Sequence, residues 1–310
     1  MADAVRLILG ILIYAEIWLM FITNILVLTC IIKNRFYARK DDSIYILSGF
    51  NISCDICQIT LHVVYVGPAI IIGSWIFDGQ DSLGVTVAAM VFLGFWYLGS
   101  MIQILFAANR FVAVCFPRSA LFTRKRVVFF IVICSCAALA LVTYSQLLSP
   151  CCRITPDPFV YSYSYLPRPN ETYNLSMYSA DLPLDTTASV YCLISYAALF
   201  VYIRKAGARD DRSRSRELKC CIQFALIFVT YTIAWVTFFV YPAFGLREAA
   251  AYSVTLILHM IKCGVNSIIY LTMNAEIRRA VNELLHREIF DVPAIKNDRS
   301  VGSHTSRSKR

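Results

Sequence analysis

The sequence predicts an all-α membrane protein, a bundle of seven transmembrane helices, and three observations predict it. Charged residues are scarce, 16% of 310 with 58% hydrophobic, where a soluble domain carries about 25% charged. Apolar runs long enough to cross a hydrocarbon core of about 30 Å recur along the chain. Lys and Arg collect in every second connection between those runs, the bias that orients multi-pass proteins.

The runs, in order, are Leu7 to Ile32, Ile44 to Ile72, Leu83 to Val112, Val127 to Ser149, Thr186 to Ile203, Cys220 to Tyr241 and Ala250 to Met273. Each is expected to be helical, because backbone polar groups in lipid must be paired within their own segment. The fifth is the shortest, and the stretch before it, Pro150 to Asp185, reads as a long loop. The first is too long for a signal-peptide core and has no clear small-residue cleavage site, so it reads as a retained span. Cys30, Cys54, Cys57, Cys134, Cys136 and Cys263 lie inside apolar runs, where cysteine behaves as a small hydrophobe. Cys151 and Cys152 fall in the long loop. No metal-ligand spacing, nucleophile elbow or phosphate loop occurs, so the chain reads as no enzyme, with no metal or other cofactor.

The connections set the orientation. Lys33, Arg35, Arg39 and Lys40 follow the first run, and Arg118, Arg124, Lys125 and Arg126 follow the third. Arg204, Lys205, Arg209, Arg212, Arg214, Arg216 and Lys219 fill the segment after the fifth, and the C-terminal tail is basic. The opposite side has only Arg6, Arg153, Arg168 and Arg247. Positive loops stay in the cytoplasm, which puts the N-terminus outside and the C-terminus inside. The net charge of +9 is thus read as a topology signal that also favours anionic membrane lipids, with no nucleic acid as partner. Two glycosylation sequons, at Asn170 and Asn174, fall on the side read as outside.

Polar residues inside the spans are costly, so their placement carries information. Asn51, Asp55, Gln58 and His62 in the second run recur at spacings of four and three and share one helix face. His259, Lys262, Asn266 and Tyr270 do the same in the seventh, and Trp96, Ser100, Gln103 and Arg110 in the third. The three stripes are expected to meet on a common axis, with Asp55 and Lys262 facing each other as an ion pair.

The stretch "NRFVAVCFP" (109–117) resembles the cytoplasmic end of helix 3 in rhodopsin-like seven-transmembrane G-protein-coupled receptors. Asn109 stands at the acid's place, Arg110 at the arginine, Phe111 at the tyrosine and Pro117 at the loop proline. "NSIIYLTMNAEIRRAV" (266–281) is similar to the family's helix 7 ending and the short amphipathic surface helix after it. There Asn266 and Tyr270 match, with Ser267 replacing the usual proline. Asn24 resembles the helix 1 asparagine and Asp55 the helix 2 aspartate. The resemblance implies a receptor domain over 1–285, a cytoplasmic disordered tail over 286–310, and a G-protein switch at Asn109, Arg110, Phe111 and Pro117. It also implies a polar network of Asn24, Asp55, Asn266 and Tyr270, to which the expected pair with Asp55 adds Lys262. With Asn109 for the acid, the arginine lacks its ionic neighbour, which predicts raised basal activity.

Several departures narrow the resemblance. Helix 3 has no cysteine near its outer start, so the family's bridge to the second outer loop is not expected. Cys151 and Cys152 are left free, bridged to each other, or paired elsewhere, with Cys192 as one partner. These features are similar to the nematode serpentine chemoreceptors, most like the class X group. That implies an extracellular small molecule or peptide as ligand, a heterotrimeric G protein as partner, and a plasma-membrane location, with the sensory-neuron cilium as one site. Trp96, Tyr191, Phe238, Tyr241, Tyr252 and His259 are the expected pocket lining, and the tyrosine-rich loop after Pro150 is either a lid or a glycosylated spacer. Two rivals stand beside this reading. A transporter would need discontinuous helices or repeats, and a retinal photoreceptor would need its lysine where this chain has Met260.

Overall fold

In the computed structural model, residues 2–38, 43–116, 118–166, 173–205, 211–244 and 249–290 are described. Seven helices in them are long and apolar enough to cross a membrane. Here α1 is Ala2–Lys33, α2 Ser43–Ile72, α3 Leu83–Cys115, α4 Arg124–Leu148 and α5 Met177–Lys205. Then come α6, Asp211–Ala243, and α7, Ala249–Met273. An eighth helix, α8, spans Ala275–Phe290, so the domain boundary expected at 285 falls inside it. Residues 291–310 of the expected tail lie outside the described residues.

The fifth span begins earlier than the sequence suggests. Asp181 and Asp185, which read as loop, lie within α5 and are buried. A buried carboxylate is tolerated when its oxygens are hydrogen-bonded, and both of these are.

α3 packs on α2, α4, α5 and α6, and α7 packs on α1, α2 and α6. Over their most apolar stretches α3 and α7 are 61% and 67% buried, against 22% for α4. These two central helices carry two of the three polar stripes and α2 the third, while α4 leaves most of its surface exposed. Ser82 caps α3 by accepting a hydrogen bond from the Val85 amide at 3.4 Å. α2 stops at Gly73, whose φ of 74° is the left-handed conformation glycine adopts without strain.

Three spans share a local device. α2, α4 and α5 each contain one π-helical turn, at His62–Val66, Tyr144–Leu148 and Met177–Asp181. Each turn ends two residues before a proline: Pro68, Pro150 and Pro183. A proline offers no amide hydrogen to the carbonyl four residues back, and its ring crowds the preceding turn. The residue before it bonds five back instead, Gly67 to His62, Ser149 to Tyr144 and Leu182 to Met177. The wider turns place His62, Ser145 and Asp181 at one end of the bundle.

A two-stranded antiparallel hairpin closes that end. Strand β1, Ile154–Asp157, pairs with β2, Ser162–Tyr165, with Ile154 opposite Tyr165 and Asp157 opposite Ser162. Asp157 shapes the turn by accepting from the Phe159 amide at 2.9 Å and the Ser164 hydroxyl at 3.0 Å. β1 packs on α3 and β2 on α7. Two contacts hold the hairpin to the α2–α3 connection. Trp75 Nε1 donates to the Pro156 carbonyl at 3.2 Å, with its ring 4.9 Å from Phe159, and Arg153 pairs with Asp81.

Asn274 caps α8, its Oδ1 accepting from the Glu276 and Ile277 amides at 3.0 and 3.2 Å. The helix sets Ile277, Ala280 and Val281 against Val27, Ile31 and Phe36 and leaves Arg278 and Arg279 exposed.

Candidate functional site

At the hairpin end, a cleft of about 470 Å3, its open mouth included, runs between α3, β2, α5, α6 and α7. α3 supplies Phe92 and Trp96. β2 supplies Tyr163 and Tyr165, which share a strand face because side chains alternate. Phe238 enters from α6 and His259 from α7. The rings pair in two groups, one around Phe92 and one around Phe238. Phe92 and Tyr163 lie face to face, Trp96 and His259 are 5.4 Å apart, and Tyr165 and Phe238 5.7 Å.

Two carboxylates from α5 face the same space. Asp185 Oδ1 accepts from Ser100 Oγ at 2.8 Å and Tyr231 OH at 2.7 Å, and its Oδ2 from Trp96 Nε1 at 3.0 Å. Asp181 accepts from the phenols of Tyr97 and Tyr165. Burial, with Asp181 beside it, pushes the Tyr165 phenol well above its ordinary range, and burial does the same for Tyr163. Both therefore keep their protons at neutral pH and act as donors. Sequence reasoning missed both acids. The available signal was the pattern Asp-Leu-Pro-Leu-Asp, two acids four apart around a helix proline.

Below the cleft the stripes of α2 and α7 meet. His62 Nε2 is 3.0 Å from Tyr163 OH, and its ring lies 5.4 Å from that of His259. Lys262 Nζ stands 3.4 Å from Asp55 Oδ1, both side chains buried, and 5.6 Å over the Trp96 ring. Asp55 Oδ2 accepts from Asn51 at 2.7 Å and Asn266 at 3.3 Å. Asn24 bridges α1 to α7, donating to the Cys263 carbonyl at 3.1 Å and accepting from Ser267 at 2.7 Å. Tyr270 then bonds Ser48. A polar column thus descends from the cleft toward the opposite end of the bundle.

That opposite end holds the NRF stretch. Asn109 Nδ2 donates to Ser43 Oγ at 3.0 Å, tying α3 to α2. The Arg110 guanidinium sits 5.0 Å over the Phe224 ring of α6, and its Nε has no acceptor among the described residues. Phe111 lies 6.2 Å from Phe116. Pro117 lies outside the described residues.

The remaining candidates are not gathered at the cleft. Tyr191 is 40% exposed on the outer face of α5, because it stands about 200° round the helix from inward-facing Ser189. Tyr241 and Tyr252 meet edge to face at 6.1 Å, away from the cleft lining. The Cys151 and Cys152 sulfurs are bonded to each other, and Cys192 is free and buried. Asn174 accepts from the Met177 amide at 3.0 Å at the start of α5, and Asn170 lies outside the described residues. Among the described residues no group of His, Cys, Asp and Glu converges to hold a metal ion.

No curated protein matches the chain. A family profile described as "Serpentine type 7TM GPCR chemoreceptor Srx" matches residues 19–274. That match takes in all of α2 to α7, the cleft, the polar column and Arg110. With seven membrane-capable helices around such a column, the chain belongs to the Srx family of serpentine seven-transmembrane GPCR chemoreceptors, multi-pass membrane proteins.

Proposed function

We propose that this chemoreceptor binds an extracellular small molecule or peptide in the hairpin-end cleft and activates a heterotrimeric G protein through Arg110. In this reading the N-terminus and hairpin lie outside, and the α3–α4 connection and the 286–310 tail lie in the cytoplasm of a plasma-membrane receptor. One observation carries the reading: the aromatic cleft and Arg110 sit at opposite ends of one bundle, joined by the column through Lys262, Asp55 and Tyr270.

The residues suggest how the ends communicate. A ligand touching Trp96, Phe238 and His259 contacts α3, α6 and α7 together. A shift of α6 relative to α3 would part Phe224 from Arg110 at the far end. The cation–π contact takes the place of the ionic neighbour that Asn109 cannot supply, and with the Phe224 ring buried such a contact is worth about 0.5–2 kcal/mol. It is a weak latch, which accords with a receptor that is partly active without ligand.

Guanine-nucleotide exchange on a reconstituted heterotrimeric G protein tests this. Arg110→Ala is expected to abolish receptor-dependent exchange. Phe224→Ala is expected to raise basal exchange about two- to thirtyfold, the equivalent of the lost latch. Exchange that is equal with wild type and Arg110→Ala would remove Arg110 from the switch.

A further inference from the structure

We infer that the cleft takes a small organic cation, its ammonium set against Asp181 and Asp185 and its body against the rings of Trp96, Tyr165 and Phe238. This deepens the ligand site proposed above and rests on that reading for the cleft's role in signalling.

The first observation is the state of the two carboxylates. Both line the cleft, and every hydrogen bond they accept comes from a neutral donor: Tyr97 and Tyr165 for Asp181, Trp96, Ser100 and Tyr231 for Asp185. Among the described residues no lysine or arginine pairs with either. The buried lysine nearby, Lys262, is ion-paired to Asp55. Two carboxylate groups offer about eight lone-pair sites, more than these five donors fill. A buried carboxyl without a counter-ion is costly to ionise, and a cationic ligand supplies the counter-ion.

The second observation is independent of the acids. Thr255 Oγ1 and His259 Nδ1 have no hydrogen-bond partner among the described residues. Both residues line the same cleft and are at most 5% exposed. An orphaned buried polar group is costly, and two of them, one turn apart on α7, point to an occupant with polar atoms of its own. They lie on α7 rather than α5, so the occupant carries a hydroxyl or similar group besides its ammonium.

The aromatic walls complete the selection. Ring faces attract an ammonium and pack against an apolar body. An anion would meet two carboxylates, and the nearby Lys262 is already ion-paired to Asp55. A purely apolar ligand would leave the acids without a counter-ion and the two orphans unpaired.

The test uses the full-length receptor in lipid nanodiscs with three probes of matched size. They are 4-(2-aminoethyl)phenol, a cation at neutral pH, neutral 4-propylphenol, and anionic 3-(4-hydroxyphenyl)propionate. Calorimetric titration is expected to show saturable binding of the amine, about tenfold or more tighter than the neutral probe, and none of the anion. Asp185→Asn is expected to remove that preference while 4-propylphenol still binds, which also reports that the variant is folded. If the variant does not fold, the three-probe comparison on the wild type decides alone. Equal binding of amine and neutral probe, preference for the anion, or no saturable amine binding up to about 10 mM overturns the inference. Nucleotide exchange in the same nanodiscs separates the two readings. Amine binding with no receptor-dependent exchange under any condition keeps the cation site and overturns the signalling role. Exchange driven by the neutral or anionic probe, with no amine preference, does the reverse.

Discussion

Asp55 shows how far single residues could be read. Its position on an apolar helix, with a lysine on another, was enough to expect a pair, because an isolated charge there is prohibitively costly. The two groups stand 3.4 Å apart. Removing one member of such a pair costs about 3–5 kcal/mol, while replacing both with apolar groups is often close to neutral. Asp55→Asn is therefore expected to lower the melting temperature of the purified receptor sharply, and Asp55→Asn with Lys262→Met to restore most of the loss. Equal damage from the single and double variants would mean that the pair contributes nothing as a pair. Arg110 was less legible. Its motif marked it, but its contact in the structure is Phe224, an ordinary apolar residue of α6 that nothing in the sequence distinguishes from its neighbours. Asp181 and Asp185 were harder still, since acids beside a proline read as loop unless their partners Tyr97, Tyr165 and Tyr231 are known to converge on them.

At the scale of elements, the long spans were legible because hydropathy over some 20 residues is a strong signal. Short elements were not. The strands of the hairpin are four residues each, too short for a period to declare itself, and "SYSY" reads equally well as a spacer. The start of α5 was hidden by Pro183, which the π-helical turn accommodates. Pocket aromatics depended on rotational phase. Trp96 and Phe238 face the cleft, while Tyr191 faces away. The hairpin is held without the cysteine bridge common in related receptors, and its two clamps differ in strength. The Trp75–Phe159 ring pair and the Trp75 hydrogen bond together amount to about 1–3 kcal/mol. The Arg153–Asp81 pair has a largely exposed partner in Asp81 and contributes about 0–1 kcal/mol. Trp75→Ala is accordingly expected to speed amide hydrogen exchange in residues 154–165 about tenfold or more, and Arg153→Ala no more than about fivefold. The opposite ranking would assign the hairpin's anchoring to the ion pair.

For the whole molecule, the sequence carried the helix count and the convergence of the stripes, since α2, α3 and α7, the three most buried spans, bear the three stripes. The basic residues on one set of connections and the sequons on the other predict an orientation as well. That orientation supports every functional statement above, because the cleft must face the ligand and Arg110 the G protein. Epitope access at both termini in intact cells, with the deglycosylation shift of wild type and of Asn170→Gln with Asn174→Gln, measures it directly. The account predicts an N-terminal epitope exposed without permeabilisation, a C-terminal one reached only after it, and a shift lost in the double variant. A cytoplasmic N-terminus would put Arg110 on the outer face and contradict the receptor mechanism.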